Sequence, residues 1–445
     1  MTSRPSCYAP ILRDRLRRVS FALALICALI AAASQVGVAQ SFDSIYQFSP
    51  QSGWQPWAGV TLDAGGNLYG TTTGGGEDAG TVYQMKRHLN GWFLTQLFVF
   101  DAPGGPNSVG SWPWGGIVFG PDGALYGTTS AGGTSNDGVV YRLVPPATTC
   151  RSTRCYWTET VLHNFAGGSD GASPALGNVT FDSTGNLYGT TSVGGSNAEC
   201  QAGCGVVYKL SRSGSGWTEQ VVYRFGGGID GSDPYGTLLV DAAGNIYGTT
   251  VMGGGSGCDN QQGCGTVFEL SPSGSGWMEK VLYRFQGGND GASPYGGLIA
   301  DHSGNLYGAA AYNGSLNGGT VYELSPNGPS WNFSVLHALG PDQYALGGSL
   351  GNLAMDNAGA LYGITQGDGN ASTGSVFKLT PQNGTWTYTL LHSFDDFLGV
   401  PRGYEPLGTP VLDSSGNIYG TTSEGGSHLC DPEVYCGTVW EIIAQ

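Results

Sequence analysis

A tetrapeptide of the form Asn/Ala-Leu/Ile-Tyr-Gly occurs seven times along the chain, starting at Asn67, Ala124, Asn186, Asn245, Asn305, Ala360 and Asn417. Successive copies are separated by 57, 62, 59, 60, 55 and 57 residues. So constant a period restricts the fold to repeated supersecondary units that bury their apolar faces against one another. Each copy sits in a larger unit with a fixed order of parts. In the fifth unit an apolar run, Leu298-Ile299-Ala300-Asp301, leads through a tight turn to Asn305-Leu306-Tyr307-Gly308. A Gly-rich loop, the run Gly319-Thr320-Val321-Tyr322-Glu323-Leu324, a polar loop, Trp331 and Val335-Leu336-His337-Ala338-Leu339 follow. These four segments are short, rich in β-branched and aromatic residues, and bounded by Gly, Asn, Ser and Pro. They predict four strands, A to D, joined by hairpins.

The two ends of the repeat region decide how the units are arranged. After the last unit's tetrapeptide, Gly437-Thr438-Val439-Trp440-Glu441-Ile442 supplies a strand C with no D behind it. Near the start, Phe42-Asp43-Ser44-Ile45-Tyr46-Gln47-Phe48 reads as a strand D with no A, B or C before it. An open array would leave both as unpaired edges, which invite association. A ring in which the N-terminal strand completes the C-terminal blade removes both edges. The predicted fold is therefore all-β, a seven-bladed β-propeller of four-stranded antiparallel blades. Composition agrees. The chain holds 78 Gly and 22 Pro among 445 residues, a level that approaches disordered sequences, and only 11% of residues are charged. Yet 11% are aromatic, including 11 Trp, which disordered chains lack. The glycines punctuate many short packed strands, and collagen-like, coiled-coil and nucleic-acid-binding chains are excluded.

Runs such as Gly185-Asn186-Leu187-Tyr188-Gly189-Thr190-Thr191 followed by Gly205-Val206-Val207-Tyr208-Lys209-Leu210 resemble the GloVer tandem repeat of exported bacterial "choice-of-anchor" proteins. The resemblance covers essentially all of residues 41–445. It implies an extracellular or surface location and brings no established activity. This sequence ends at Gln445 with no apolar anchor or basic sorting tail, so release is expected rather than attachment through its own C-terminus.

Residues 1–39 read as a secretory signal peptide, with 40–445 as a single propeller domain. Arg4, Arg13, Arg15, Arg17 and Arg18 precede an apolar stretch at 19–33, and small residues Gly37 and Ala39 precede Gln40. The stretch falls short of the roughly 20 residues that span a bilayer, so no membrane span is expected in the mature chain. Ile26 before Cys27 does not suit lipidation, and Arg17-Arg18 match the twin-arginine signal poorly, which leaves general export. Cleavage leaves 12 basic and 32 acidic residues, a net charge of −20 that repels nucleic acid and anionic membranes. The eight remaining cysteines form close pairs: Cys150 with Cys155, Cys200 with Cys204, Cys258 with Cys264, and Cys430 with Cys436. They read as four short-loop disulfides. A metal alternative gathers Cys200, Cys204, Cys258 and Cys264.

Function is expected on the face formed by the long D–A and B–C loops, since loop variation on a rigid scaffold is where sites arise. Pro56-Trp57, Pro113-Trp114, Pro234-Tyr235 and Pro294-Tyr295 precede strand A, which lines the channel, so four aromatics are expected around the channel mouth, near Trp54 and Trp112. Flat aromatic faces with acceptors for hydroxyls suit a sugar. Asp170, Asp230 and Asp290, each in an Asp-Gly step, are the candidate acceptors. The competing account is that Pro-aromatic-Gly packs the blade junction and Asp-Gly turns the chain. The aspartates Asp63, Asp182, Asp241, Asp301 and Asp413, each four residues before an Asn, read as turn-formers, and the repeated Tyr column as packing.

Catalysis has weaker support. His163, His337 and His392 share a strand-D column with Tyr46, Phe98, Tyr223 and Tyr283, which reads as packing. His88 and His302 are expected in turns away from the candidate face, and His428 lies beside Cys430 with no fixed partner. No nucleophile elbow, zincin motif, phosphate loop or EF-hand spacing occurs. No cofactor is assigned; calcium in the channel has no spacing to support it. The sequence thus predicts a secreted, non-enzymatic module that binds extracellular glycan or protein. The alternatives are a carbohydrate-active enzyme, for which Asp395-Asp396 is a carboxylate pair, and a purely structural envelope component.

Overall fold

The structure is a computed structural model that describes residues 40–76, 78–102, 109–147, 156–174, 177–195, 200–255, 257–258, 262–316, 318–340, 352–366, 374–394, 403–431 and 434–444. The expected signal peptide and Asp395-Asp396 lie outside the described residues. So do Cys150 and Cys155, and the disulfide expected between them is not among those the structure describes. Residues Phe42–Ala444 form one compact unit. No described helix is long and apolar enough to cross a membrane.

Seven antiparallel sheets follow one another in chain order, each built on four strands A-B-C-D, with a short extra strand at Ala172–Pro174 pairing with strand B of blade 3. Blade 5 is typical, with A at Ile299–Ala300, B at Leu306–Ala310, C at Thr320–Asn327 and D at Ser330–Ala338. Blade 7 breaks the order in the way the chain ends require. Its strands A (Tyr404–Leu412), B (Ile418–Glu424) and C (Thr438–Ile443) come from the C-terminus, and strand D is the N-terminal Ser41–Gln47. The fold is a seven-bladed β-propeller. Among the described residues two small sheets are added in the loops: Asp290–Ala292 of a D–A loop pairs with Tyr312–Gly314 of the following B–C loop, and Leu429–Asp431 pairs with Val434–Tyr435.

The repeated wording has a packing reason. The tetrapeptide Gly lies on strand B beneath a large ring from strand C: a Cβ on Gly127 would meet the Tyr141 hydroxyl at 2.5 Å and its Cζ at 2.7 Å. The aromatic that follows strand D then reaches the next blade. Phe100 meets Tyr141 edge-on at 5.2 Å, Phe165 meets Tyr208 at 5.1 Å, and Phe285 meets Tyr322 at 5.2 Å. The core therefore lies between blades. Tyr69 and Phe100 of blade 1, for instance, share a buried cluster with Leu125 and Tyr141 of blade 2.

The turn between A and B is a hydrogen-bonded lock. Asp301 Oδ1 accepts from the backbone N–H of Ser303 and Asn305 at 2.8 and 2.9 Å, and Oδ2 accepts from Asn305 Nδ2 and the Tyr307 hydroxyl at 2.8 and 3.1 Å. Asp63, Asp182, Asp241 and Asp413 make the same set of bonds. The aspartates are turn-formers, as expected, and the Tyr column adds to its packing a hydroxyl that closes each turn. At Asp182 burial works to raise the carboxyl pKa, but hydrogen bonds from Asn186 and Thr184 outweigh it and hold the value near 2.

Candidate functional site

The D–A segments carry the blades' closest approach to one another. Just before each strand A the chains of neighbouring blades touch in an unbroken belt. Gly116 N–H donates to Asn178 Oδ1 at 2.8 Å, Asn178 N–H to Thr237 Oγ1 at 2.9 Å, Gly297 N–H to Asn352 Oδ1 at 2.8 Å, and Asn352 N–H to Thr409 Oγ1 at 2.9 Å. Gly59 bridges Thr409, and the Thr61 hydroxyl donates to the Ile117 carbonyl. Between blades 4 and 5 the backbones of Gly236 and Gly297 meet directly. The prolines that precede the belt are junction residues. Pro56, Pro113, Pro174, Pro234, Pro294 and Pro406 lie over Gly437, Gly80, Gly138, Gly205, Gly265 and Gly374, each at the entry to strand C of the preceding blade.

The aromatics after those prolines form two pairs. Trp57 and Trp114 lie with ring centroids 5.2 Å apart across blades 1 and 2, and Tyr235 and Tyr295 lie 5.8 Å apart across blades 4 and 5. Trp114 and Trp112 remain 37% and 41% exposed, and Trp112 Nε1 donates to the Asp78 carbonyl at 3.1 Å. Trp54 instead packs against the cluster between blades 7 and 1. The pairing follows from the belt: where backbones of adjacent blades touch, their neighbouring side chains are driven into contact.

The candidate acceptors are engaged locally. Asp230 Oδ2 accepts from the Tyr223 hydroxyl at 3.0 Å and Gly226 N–H at 2.9 Å, and Asp290 Oδ2 from Tyr283 at 2.9 Å and Gln286 N–H at 2.8 Å. Asp170 Oδ2 accepts from Ala166 N–H at 2.8 Å and lies 3.2 Å from His163 Nε2. These carboxylates thus shape the D–A turn and tie it to the strand-D column. Among the histidines of that column, His337 stacks on Tyr388 at 4.4 Å and His392 on Phe42 at 3.7 Å, in packing roles as expected. His163 differs, because it faces a carboxylate.

The carboxylates that sequence reading passed over stand immediately before the prolines. Gln55, Trp112, Ser173, Asp233, Ser293 and Glu405 all have φ between 50° and 58°, a left-handed conformation that is costly for a residue before proline. Backbone bonds on both sides hold it: Asp233 N–H donates to the Cys204 carbonyl and Val251 N–H to the Asp233 carbonyl, each at 3.0 Å. Burial pushes the Asp233 carboxyl up to about 6. Glu405 is raised by burial and then by the neighbouring Glu424 charge, against hydrogen bonds from Gln366 and Ser423. The Tyr404 hydroxyl donates to Glu424 Oε2 at 2.7 Å. An Asp-Pro or Glu-Pro step in a D–A loop was the available signal.

Three of the four predicted disulfides lie among the described residues and are present, Cys200–Cys204, Cys258–Cys264 and Cys430–Cys436, all in B–C loops. The pairing of Cys150 with Cys155 stays an expectation from their spacing, since the segment that holds both is outside the described residues. The sulfurs of Cys200, Cys204, Cys258 and Cys264 are engaged in disulfides, so the metal site expected as their alternative does not form.

A second column, four residues before the strand-D aromatic, carries Glu159, Glu219 and Glu279 on blades 2 to 4, where blades 5, 6 and 7 have Phe333, Tyr388 and Phe42. Burial, then the Asp101 charge, pushes Glu159 up to about 8, and its Oε1 is shielded with no hydrogen-bond partner, as is the hydroxyl of Tyr141 nearby. A folded-state value above the unfolded one means stability that is full below about pH 4.3 and lost as pH rises through the folded value. Glu159→Gln is therefore expected to stabilise the protein by about 2 kcal/mol at pH 8 and to change little at pH 5. Thermal melts at the two pH values check this; an equal shift at both would mean that Glu159 is ionised throughout.

The model of the Gloeobacter/Verrucomicrobia repeat matches residues 34–197, 149–350 and 203–431. The chain belongs to this repeat family. No curated protein matches the chain. Among solved structures, this member of the repeat family is similar to a candidate 6-phosphogluconolactonase from Bacteroides uniformis, at 14% identity over 80% of this chain and 88% of that one, with a TM-score of 0.48. It is also similar to the polysaccharide lyase Uly1, at 10% identity over 89% and 91% of the two chains and a TM-score of 0.47. A glucose dehydrogenase matches at 14% identity over 91% and 100%, with a TM-score of 0.41. None of these likenesses bears on what the repeat protein does.

Proposed function

We propose that this repeat protein is exported and acts as a non-enzymatic binding module, taking extracellular glycan on the face made by its D–A and B–C loops. The observation that carries the reading is the Trp57–Trp114 pair, two indoles 5.2 Å apart with Trp114 and the adjacent Trp112 partly exposed. Such rings present flat apolar area at low entropic cost, with polar N–H edges, which suits the C–H faces of sugar rings. The backbone beside the pair is tied down before a ligand arrives, by Thr71 Oγ1 donating to the Gly115 carbonyl at 3.1 Å and Gln55 N–H to the Cys436 carbonyl at 3.0 Å, which lowers the cost of binding. The basic-then-apolar leader and the disulfides support export.

The test is affinity electrophoresis of purified protein through a panel of polysaccharides, beside the Trp57→Ala/Trp114→Ala double variant. Wild type is expected to be retarded by at least one polymer, and the variant to run at the rate seen without polymer. Equal retardation of both would remove the platform from the binding site. Retardation by no polymer would favour a protein partner.

A second reading, a carbohydrate-active enzyme, rests on Glu405, Glu424 and Tyr404. They bring a raised carboxyl group and a hydroxyl-bonded carboxylate together on one blade, a pairing suited to acid–base work. Cleared polymer in the same gels, abolished by Glu405→Gln, would establish it.

A further inference from the structure

We propose that the junction of blades 2 and 3 is a binding site for one divalent first-row transition-metal ion, held by His163, Asp170 and Glu219. His163 comes from strand D of blade 2 (Thr158–Asn164), Asp170 from the turn that follows it, and Glu219 from strand D of blade 3 (Gly216–Arg224). His163 Nε2 and Asp170 Oδ2 are 3.2 Å apart, and one ligand atom from each of the three residues lies within 4.8 Å of the others. Tetrahedral zinc with metal–nitrogen and metal–oxygen bonds of about 2.0–2.2 Å holds its ligands about 3.3 Å apart. The His–Asp edge already has that length. Glu219 needs only to close in, and its Oε1 is shielded from solvent without a hydrogen-bond partner.

The repeats supply an internal control. At the next two junctions the same turn aspartate faces a tyrosine: Tyr223 donates to Asp230 and Tyr283 to Asp290. A phenol hydroxyl there completes a turn and offers no imidazole lone pair. Across the junction from Tyr283 stands Phe333, stacked at 3.9 Å, and across from His337 stands Tyr388. Among the described residues, only His163, Asp170 and Glu219 form a group of three metal-ligating side chains in mutual reach. All three are half-buried, so an ion can enter and keep a water ligand. One imidazole with two carboxylates suits zinc, cobalt or manganese better than calcium, which takes oxygen ligands. The neighbouring fixed cation is Arg224, whose Nε donates to the Ser169 carbonyl at 3.1 Å rather than to the Asp170 carboxylate.

The experiment is calorimetric titration of tag-free, chelator-treated protein with zinc chloride, with cobalt(II) absorption as a second readout. Wild type is expected to bind one ion per chain, to melt at a higher temperature when loaded, and to give the intense visible bands of tetrahedral cobalt. His163→Tyr installs the residue of the neighbouring blades, so the metal-free melt is expected to stay close to wild type while zinc affinity falls at least 100-fold. Glu219→Gln is expected to weaken binding at least 10-fold and to alter the cobalt spectrum. Absence of stoichiometric binding by wild type would overturn the proposal, as would unchanged affinity in His163→Tyr. Should His163→Tyr fold poorly, Asp170→Asn serves in its place, with the same loss expected and the same retention overturning the site.

Discussion

Gly297→Ala is expected to destabilise the protein by at least about 3 kcal/mol, or to prevent a single folded state from forming. Its φ is not in the left-handed region, so the cause is space alone. A Cβ at Gly297 would fall on the Thr237 carbonyl of blade 4, with Thr237 N 2.8 Å away and Asn352 Oδ1 of blade 6 at 2.9 Å. A Cβ at Gly236 would likewise meet Gly297 N at 2.5 Å and Gly296 C at 2.7 Å. The nearest obstacles at both glycines are backbone atoms, which cannot rotate aside. Because the belt closes on itself, opening one junction must strain the others. Gly276→Ala is the control: a Cβ there meets nothing closer than 4.0 Å, at an exposed hairpin, and it is expected to change stability by a few tenths of a kcal/mol. Urea unfolding of the two variants beside wild type measures the difference. Similar midpoints for both alanine variants would mean that the inner ring yields freely and the belt is not a structural constraint.

Deletion of residues 41–48 is expected to yield a poorly folded species that associates more than the parent chain. The segment supplies the outer strand of blade 7, pairs with Thr438–Ile443, and locks there through a Phe48 N–H bond to the Gly437 carbonyl at 3.0 Å. Its side chains serve both neighbouring junctions. Phe42 stacks on His392 of blade 6 at 3.7 Å, and Phe48, fully buried, meets Tyr83 of blade 1 edge-on at 5.2 Å. Without it, strand C of blade 7 becomes a free edge with a row of unpaired backbone groups, a template for pairing between chains. Phe48→Ala isolates the packing part, with an expected cost of about 3–5 kcal/mol for loss of a fully buried ring. Light scattering coupled to size exclusion, together with a thermal melt, reads both effects. A deletion variant with the parent's mass and an unchanged melt would show that the ring closes without its N-terminal strand.

Much of this architecture was legible because it is written seven times. The Leu-Tyr-Gly wording is forced by contact between adjacent layers, a strand-B glycine under a strand-C ring, and any repeat that lost it would lose its own core. The Asp-to-Asn spacing was legible for a similar reason, since a tight turn needs local acceptors wherever it sits. The count of strands at the two ends was enough to predict closure. Cysteine spacing was enough for the three B–C disulfides, because their partners are local.

The site was less legible, since its geometry arises between repeats. Four residues at one repeat position look equivalent along the chain, yet Trp57 pairs with Trp114 and Tyr235 with Tyr295 because only adjacent blades can bring side chains together. Asp170, Asp230 and Asp290 looked free in sequence and are bound to their own turns. Asp233 and Glu405 drew no notice, and burial beside the belt changes their acidity. His163 resembled a packing residue because its column also holds Phe and Tyr. Only the juxtaposition of Asp170 in its own loop and Glu219 from the next blade makes it a candidate ligand. Local spacing and strand count determined the blade, its turns and the closure of the ring. Which side chains meet across a junction depends on blade rotation about the propeller axis, and that exists only in the tertiary structure.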